Sequence, residues 1–184
     1  MSRWAFHGHA IVSDDDRIAG PDGLTPESLR NDADWARFQA ALDAAAVTIL
    51  GRLGHEANPN VRGRNRLVLS SGVRDITRRD DAWWWNPAGM PLGEALAIAA
   101  PQGGVAVVPG GRLVFDYFLK TGFDQFHLAR AAGVSVPGGV PVFSAISSGS
   151  TAGQCLAAGG LVADAPEVLD PAADISLTLW RRRA

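Results

Sequence analysis

The sequence has few of the features that mark secreted, metal-thiolate or nucleic-acid-binding proteins. Only one of its 184 residues, Cys155, is a cysteine, so no internal disulfide can form and a thiolate metal site is not expected. This favours a reducing compartment, and we expect the protein to be cytoplasmic. The formal net charge is −2, which provides no broad positive field to attract nucleic acid. We therefore expect no nucleic-acid partner.

Long apolar runs are missing as well. Nowhere does the chain have about 18 uninterrupted apolar residues, the length that a membrane helix requires. It also turns acidic at residues 14–16 before any stretch of signal-peptide length. No internal repeat and no linker divides it. With 47% hydrophobic and 20% charged residues, we expect one globular domain over residues 1–184 and no membrane partner.

The first two thirds of the chain alternate apolar strands with helices. A Gly- and Pro-rich loop at residues 18–25 is placed where it can cover a site, and Thr25 before Pro26 predicts a short helical turn. Asn31 or Asp32 is expected to cap the next helix, which carries apolar residues at positions 35, 38, 42 and 45. Helix-separated strands are typical of parallel sheets. The remaining predicted strands lie at residues 10–12, 47–50, 66–70 and 105–108, and the remaining helices at residues 91–100 and 113–120.

The last third of the chain predicts antiparallel pairing. Strands are expected at residues 126–129, 134–136 and 141–143, followed by a Gly-, Ser- and Ala-rich loop at residues 147–160. Residues 175–180 alternate apolar and polar side chains, as a half-buried strand does. We therefore predict an α/β fold whose sheet is mixed and mainly parallel, flanked by helices, with antiparallel C-terminal strands.

Three consecutive tryptophans at residues 83–85 stand out locally. Because successive side chains of a strand point to opposite faces, the three rings cannot all lie on one side. At least one is expected to be exposed or at an interface, the alternative being a strand with a single buried ring.

Two common catalytic motifs are absent. The four histidines, His7, His9, His55 and His127, lack the HExxH spacing that places two zinc ligands on one helical face, so no metal is predicted. His7 and His9 can share a strand face, where we expect a structural or solvated role. No GxSxG elbow surrounds Ser70 or Ser71, which argues against a serine hydrolase.

Three positions remain as candidates for chemistry. Gly110 and Gly111 follow an apolar strand and precede a helix, where missing side chains let a phosphate or nicotinamide approach backbone N–H groups. The full GxGxxG fingerprint is absent there, and glycine can also serve the turn alone. Arg52 ends another strand and can pair with a phosphate or lie free on the surface. Asp34 either complements the helix dipole or acts as an acid in an apolar cleft that raises its pKa.

In their order along the chain, these segments resemble the dihydrofolate reductase-like superfamily, which includes dihydrofolate reductase and the reductase domain of riboflavin biosynthesis. The loop ending near Arg17 to Gly20 looks like the mobile active-site loop, and Asp34 precedes Phe38 by four residues, as the family's acid precedes its pocket phenylalanine. The most specific likeness is VVPGGRLVFDYFL at residues 107–119. Further similar segments are GRLGHE at 51–56, RGRNRLVLSS at 62–71, FDQFHL and GGVPVF, the last being closer to the riboflavin-type branch.

The resemblance implies an NADPH-dependent reductase acting on a small heterocyclic molecule. It gives Asp34 the role of the substrate-orienting acid, Phe38 that of a wall against the substrate ring, and Arg64 that of a partner for a substrate carboxylate or phosphate. Arg52 would meet the 2′-phosphate of the cofactor. The full implied cofactor-binding set is Ala10, Ile18, Gly51, Arg52, Ser70, Ser71, Gly110, Gly111, Arg112 and Leu113.

Three departures from the family pattern concern mainly the acid. Gly54 stands where the family usually keeps a threonine, Ala129 stands where dihydrofolate reductases have a threonine bonded to the acid, and the tryptophan ahead of the helix is absent. Three alternatives therefore remain: a pterin reductase, a reductase of a ribosylamino-pyrimidine or related sugar carbonyl, and a non-catalytic NADPH-binding module. A homodimer is left open.

Overall fold

The computed structural model describes residues 4–183, which form a mixed α/β fold. Its helices are α1 (Asp32–Ala44), α2 (Arg52–Ala57), α3 (Leu92–Ala99), α4 (Arg112–Thr121) and α5 (Ala152–Ala158), with 3-10 turns at Glu27–Leu29 and Ser144–Ser148. Its strands are β1 (Trp4–Val12), β2 (Arg17–Ala19), β3 (Val47–Gly51), β4 (Arg66–Leu69), β5 (Ile76–Arg79), β6 (Ala82–Trp85), β7 (Gly104–Gly110), β8 (Gln125–Ala131), β9 (Val140–Pro141), β10 (Leu161–Ala163), β11 (Glu167–Asp170) and β12 (Ile175–Arg182).

Ten of the described strands form one sheet. Their order is β10-β12-β8-β1-β7-β3-β4-β6-β5, and β11 pairs with β12 beside this path. The six strands from β8 to β6 run parallel, whereas β12, β10, β11 and β5 are antiparallel additions at the two sides. The prediction of a mainly parallel sheet with antiparallel C-terminal strands is confirmed.

Aromatic rings fill the main core on one face of the sheet. Phe115 of α4 lies 5.3 Å from Phe126 of β8 between ring centroids, and Phe126 lies 5.6 Å from Phe143. All three side chains are fully buried. Burial of such large apolar rings contributes strongly to folding and holds α4 in a fixed position against the sheet.

The three tryptophans all lie on or at the end of strand β6. Trp85 is fully buried and its indole N–H donates to the Met90 carbonyl at 2.8 Å. Trp83 and Trp84 are only partly buried and are covered by the guanidinium groups of Arg78 and Arg79. The strand therefore has one completely buried ring and two partly exposed ones.

Several local predictions were wrong. Residues 134–136 form no strand, because the Val136 N–H donates to the Asp15 carboxylate at 2.9 Å after a turn at Gly133. The region 147–160 contains α5, whose N-terminus is fixed by a capping box between Thr151 and Gln154. Thr25 does not cap the short turn, which begins after Pro26. Strands β2, β5, β10 and β11 and helix α2 were not predicted.

No helix among residues 4–183 combines the length and the apolar character needed to span a bilayer.

Candidate active site

A cleft of about 1690 Å³ lies where the parallel strands β1, β7, β3 and β4 end. The carboxyl ends of parallel strands are the usual place for ligand sites in α/β folds. Eleven of the thirteen residues singled out from the sequence line this cleft. They are Ala10, Ile18, Asp34, Phe38, Gly51, Arg52, Ser70, Ser71, Gly111, Arg112 and Leu113.

The double glycine forms the turn between β7 and α4. Gly110 has a φ of +104°, and a Cβ there would come within 2.8 Å of the Phe115 ring, so this buried position requires glycine. A Cβ on Gly111 would meet nothing within 4 Å, and Gly111 lines the cleft. The peptide bond between the two glycines is cis. Gly111 exposes its backbone to the cleft, and Gly110 is buried against the Phe115 ring.

The N-terminus of α4 has unused hydrogen-bonding groups. No side chain caps it, and although the Val114 N–H donates to the Gly111 carbonyl at 3.0 Å, the N–H groups of Arg112 and Leu113 lack the partner that a capping side chain supplies. The Arg112 Nε is buried and has no hydrogen-bond partner within residues 4–183, while Leu113 is 71% exposed at the rim. Such a helix start favours a negatively charged group.

The cleft is also lined by Arg52, Ser70 and Ser71, which follow the neighbouring strands β3 and β4. Arg52 is the first residue of α2 and its Nη1 contacts both carboxylate oxygens of Glu56, at 2.9 and 3.0 Å. Both side chains are about half exposed, so this pair is weak and Arg52 remains accessible to a ligand. The Ser70 hydroxyl accepts from the Gly72 N–H at 3.1 Å.

Asp34 lies in the first turn of α1. Its backbone N–H donates to Asn31, which caps the helix and is held in turn by the Asp170 carboxylate at 2.8 Å. The carboxylate of Asp34 has no hydrogen-bond partner among the residues that the structure describes. Burial raises its pKa, opposed by the positive charge of Arg37. Asp34 is thus a half-buried carboxylate that is free to bind a ligand.

Aromatic side chains continue the same wall of α1. Phe38 packs edge-on against Trp35 at 5.9 Å between centroids, and both rings line the cleft. Trp35 is 57% exposed, and Leu42 is the buried residue of this helix. Of the apolar residues predicted on α1, Trp35 and Phe38 therefore line the cleft, whereas Leu42 is buried.

Two predicted residues lie elsewhere. Gly110 is buried behind Gly111. Arg64 does not line the cleft: its guanidinium donates to Asp43 at 2.6 and 2.9 Å and to Gln39 at 2.8 Å. Because these acceptors already hold its side chain outside the cleft, we do not assign Arg64 to the site.

Two histidines line the cleft that were not among the predicted site residues: His9 was expected to have a structural or solvated role, and His127 was given none. His9 of β1 and His127 of β8 stack with ring centroids 4.1 Å apart. Burial, followed by the influence of neighbouring positive groups, lowers the pKa of His9 to about 3 and that of His127 to about 4. No group of three or more His, Cys, Asp or Glu side chains within residues 4–183 is arranged to hold a metal ion.

No protein-family model matches the sequence, and no curated protein matches it significantly. Solved structures match nearly its whole length. Dihydrofolate reductase from Enterococcus faecalis, complexed with NADP(H), is 17% identical with a TM-score of 0.64, covering 98% of this chain and 97% of the other. A protein from Shewanella sp. PV-4 named for riboflavin biosynthesis is 17% identical with a TM-score of 0.67 over 98% and 99%.

A third solved structure also matches nearly the whole chain. It is a pyrimidine reductase-like protein from Corynebacterium diphtheriae, 14% identical, with a TM-score of 0.70 over 98% of this chain and 92% of the other. At this level of identity the likeness establishes the fold. The chain has the dihydrofolate reductase-like fold, as the order of its sequence segments predicted.

Proposed function

We propose that the protein is an NADPH-dependent reductase that delivers a hydride to a small heterocyclic substrate. The observation that carries this proposal is the composition of one cleft, in which a carboxylate without a protein partner, Asp34, faces the same space as the bare backbone of Gly111. A free acid beside backbone that could receive a nucleotide is suited to the reduction of a polar heterocycle.

We call the turn at Gly110 and Gly111, together with the start of α4, the glycine wall. Its residues fit a dinucleotide. The unpartnered Nε of Arg112 and the uncapped start of α4 would hold the pyrophosphate, which passes over Gly111. Arg52, Ser70 and Ser71 would hold the adenosine end, and Ala10 and Ile18 would flank the nicotinamide. When bound, NADPH supplies the hydride.

Asp34 would orient and protonate the substrate. Its raised pKa favours the protonated acid nearer to neutral pH than an exposed aspartate allows. In that state it can donate to a ring nitrogen, and in the ionised state it can accept from an amino group. Phe38 would pack against the ring one helical turn further along α1.

The loop at residues 18–25 is placed to close over these groups. Ile18, Gly23, Leu24 and Thr25 all line the cleft, and Leu24 is 60% exposed. Closure would bring an apolar side chain over the reacting atoms and exclude water from them, which strengthens the interactions inside.

A turnover assay tests the proposal. The protein is incubated with NADPH and either dihydrofolate or a ribosylamino-pyrimidine, and loss of NADPH absorbance is followed. We expect turnover with one of these substrate classes and slower turnover with NADH. NADPH binding without turnover on either class would instead support the non-catalytic module, and absence of NADPH binding would reject both.

A further inference from the structure

The cleft extends beyond the groups used so far, because α1 does not pack closely on the sheet. Leu42 is the buried residue of that helix, whereas Phe38 and Ala41 line the cleft. Beneath them the cleft reaches the sheet face of β1, β8 and β12. We call this part the α1 lobe. It is lined by Phe38, Ala41, His9, Ile11, His127 and Leu177.

The two histidines of the α1 lobe are neighbours across the sheet. His9 and His127 are register partners of the parallel strands β1 and β8. Their rings are stacked with an interplanar angle of 6°, so one face of each ring is covered by the other and the edges that carry the nitrogens remain for other contacts. His9 also lies 5.9 Å from Phe38 between ring centroids. The stack therefore adjoins the aromatic wall next to Asp34.

The ring nitrogens of this stack have no protein partner. None of them makes a hydrogen bond to any group among residues 4–183. None is sealed from solvent either, since the sealed unpaired side-chain atoms of the described chain belong to Arg17, Arg112 and Trp180. Because these nitrogens are open to the cleft, they can hydrogen-bond to water or to a molecule that binds there.

Both arginines near the stack are paired with carboxylates in half-exposed ion pairs. Arg37 of α1, which lines the cleft beside the lobe, pairs with Glu167 at 2.8 Å, and Arg181 of β12 pairs with Asp164 at 2.6 Å. His7, which lies 6.1 Å from His127, has a lowered pKa caused by burial and opposed by Asp124. The lining of the lobe itself therefore contains polar groups but no charged side chain.

The protonation state selects the kind of group that the lobe can bind. With pKa values of about 3 and about 4, His9 and His127 are neutral near pH 7. Each neutral imidazole has one donor nitrogen and one acceptor nitrogen. Hydroxyls and amides need both, whereas an anion would find no protonated ring to neutralise it. A phosphate or carboxylate is therefore disfavoured here.

We propose that His9 and His127 bind an uncharged hydrogen-bonding arm of the substrate, made of hydroxyls or an amide, in the α1 lobe. The heterocyclic ring would stay at Asp34, and Phe38 would contact both parts. This inference rests on the proposed function, because it assigns the arm to the molecule that the enzyme reduces. It adds two substrate-binding residues to the site and takes no part in hydride transfer.

Three oxidised pterins test the inference by calorimetry in the presence of NADP⁺ near neutral pH. Pterin has no arm, neopterin has a trihydroxypropyl arm, and 6-carboxypterin has an anionic substituent. We expect neopterin to bind about 3-fold to 10-fold more tightly than pterin, the scale of one or two hydrogen bonds. We expect 6-carboxypterin to bind no more tightly than pterin.

Variants that replace one histidine by phenylalanine keep an aromatic ring and show which residue causes the preference for neopterin. His9→Phe and His127→Phe should each reduce the neopterin advantage toward that of pterin. The matched control is His7→Phe, since His7 belongs to the same histidine row but does not line the cleft, and it should keep the full advantage. If a variant does not fold, imidazole NMR of the unmodified protein replaces it: neopterin, unlike pterin, should shift the signals of His9 and His127 and leave His7 unchanged.

Several outcomes would overturn the inference. They are equal binding of neopterin and pterin, an advantage that survives both cleft substitutions, tighter binding of 6-carboxypterin than of neopterin, and failure of all three pterins to bind. A melting curve with NADPH, recorded alongside, distinguishes a failure of this inference from a failure of the proposed function. A protein that NADPH stabilises but that shows no preference for the arm contradicts the α1 lobe alone, and one that NADPH does not stabilise contradicts the proposed function.

Discussion

The two walls of the cleft, the glycine wall and the wall formed by α1, differ in how tightly they are packed. At the turn between β7 and α4, a Cβ on Gly110 would come within 2.8 Å of Phe115, and Phe115 is itself packed against other core rings. The α1 wall has one buried residue, Leu42, and its rings line the cleft. A rigid wall fixes the position of a ligand, whereas a loosely packed one leaves recognition to individual side chains. We therefore expect the proposed cofactor site to tolerate little change in shape and the proposed substrate site to depend on single polar groups.

The largest effect is expected on the α1 wall. Asp34→Asn keeps the size of the side chain but removes its charge and its proton, so kcat/KM on the substrate should fall by roughly 100-fold or more. NADPH affinity should stay within a few-fold. Steady-state kinetics and a binding titration measure the two quantities. If Asp34 only complements the helix dipole, the variant would instead lose about 0.3 to 1 kcal/mol of stability and keep its turnover.

The glycine wall provides a matched pair of substitutions. Gly111→Val should fold normally, because a Cβ there meets nothing within 4 Å, yet it should weaken NADPH by roughly 10-fold or more by filling the approach to the backbone. Gly110→Ala should mainly destabilise the fold, by roughly 1 to 3 kcal/mol, since it combines a positive φ with a clash. Melting curves with and without NADPH distinguish the two. Unchanged NADPH binding by folded Gly111→Val would show that the cofactor does not pass over this wall.

The sequence identified the glycine wall better than the α1 wall for a physical reason. Two adjacent glycines after an apolar strand indicate a backbone requirement, which is a local property. The stack of His9 and His127 depends on the register of β1 against β8, and nothing near either residue indicates it. Helix α5 was mistaken for a loop because its small residues suggested one, although Thr151 and Gln154 carry a capping signal. The position of Arg64 outside the cleft could not be foreseen, since its contact with Asp43 is set by tertiary packing.

The pH dependence of stability should show a graded effect. The pKa of His9 is lowered to about 3 and that of His127 to about 4, from 6.5. As the pH falls below 6.5, the unfolded chain takes up protons first, so the free energy of unfolding should decrease until the pH approaches 4 for His127 and 3 for His9. At about 1.4 kcal/mol per pKa unit, the loss should reach roughly 3 kcal/mol per histidine by pH 4. Urea titrations across this range measure it. His127→Phe should show a shallower decrease, and an identical pH profile would contradict the assigned burial.

The smallest effect is expected for Arg52. Because its side chain is half exposed and shared with Glu56, Arg52→Ala should weaken NADPH by only about 1 kcal/mol while leaving NADH nearly unchanged. Fluorescence titrations with both cofactors measure the difference. Arg62→Ala is the control, since Arg62 is a similarly exposed arginine that pairs with Asp43 and does not line the cleft. Equal losses for NADPH and NADH would assign Arg52 a role other than phosphate recognition.

The most direct test of the account is a melting curve of the unmodified protein with increasing NADPH. A ligand that binds only the folded state raises the melting temperature in proportion to the logarithm of its concentration once binding is saturated. We expect such a rise with NADPH and a smaller one with NADH at equal concentration. A melting temperature that stays constant at high NADPH would contradict the proposal that this cleft is a cofactor site.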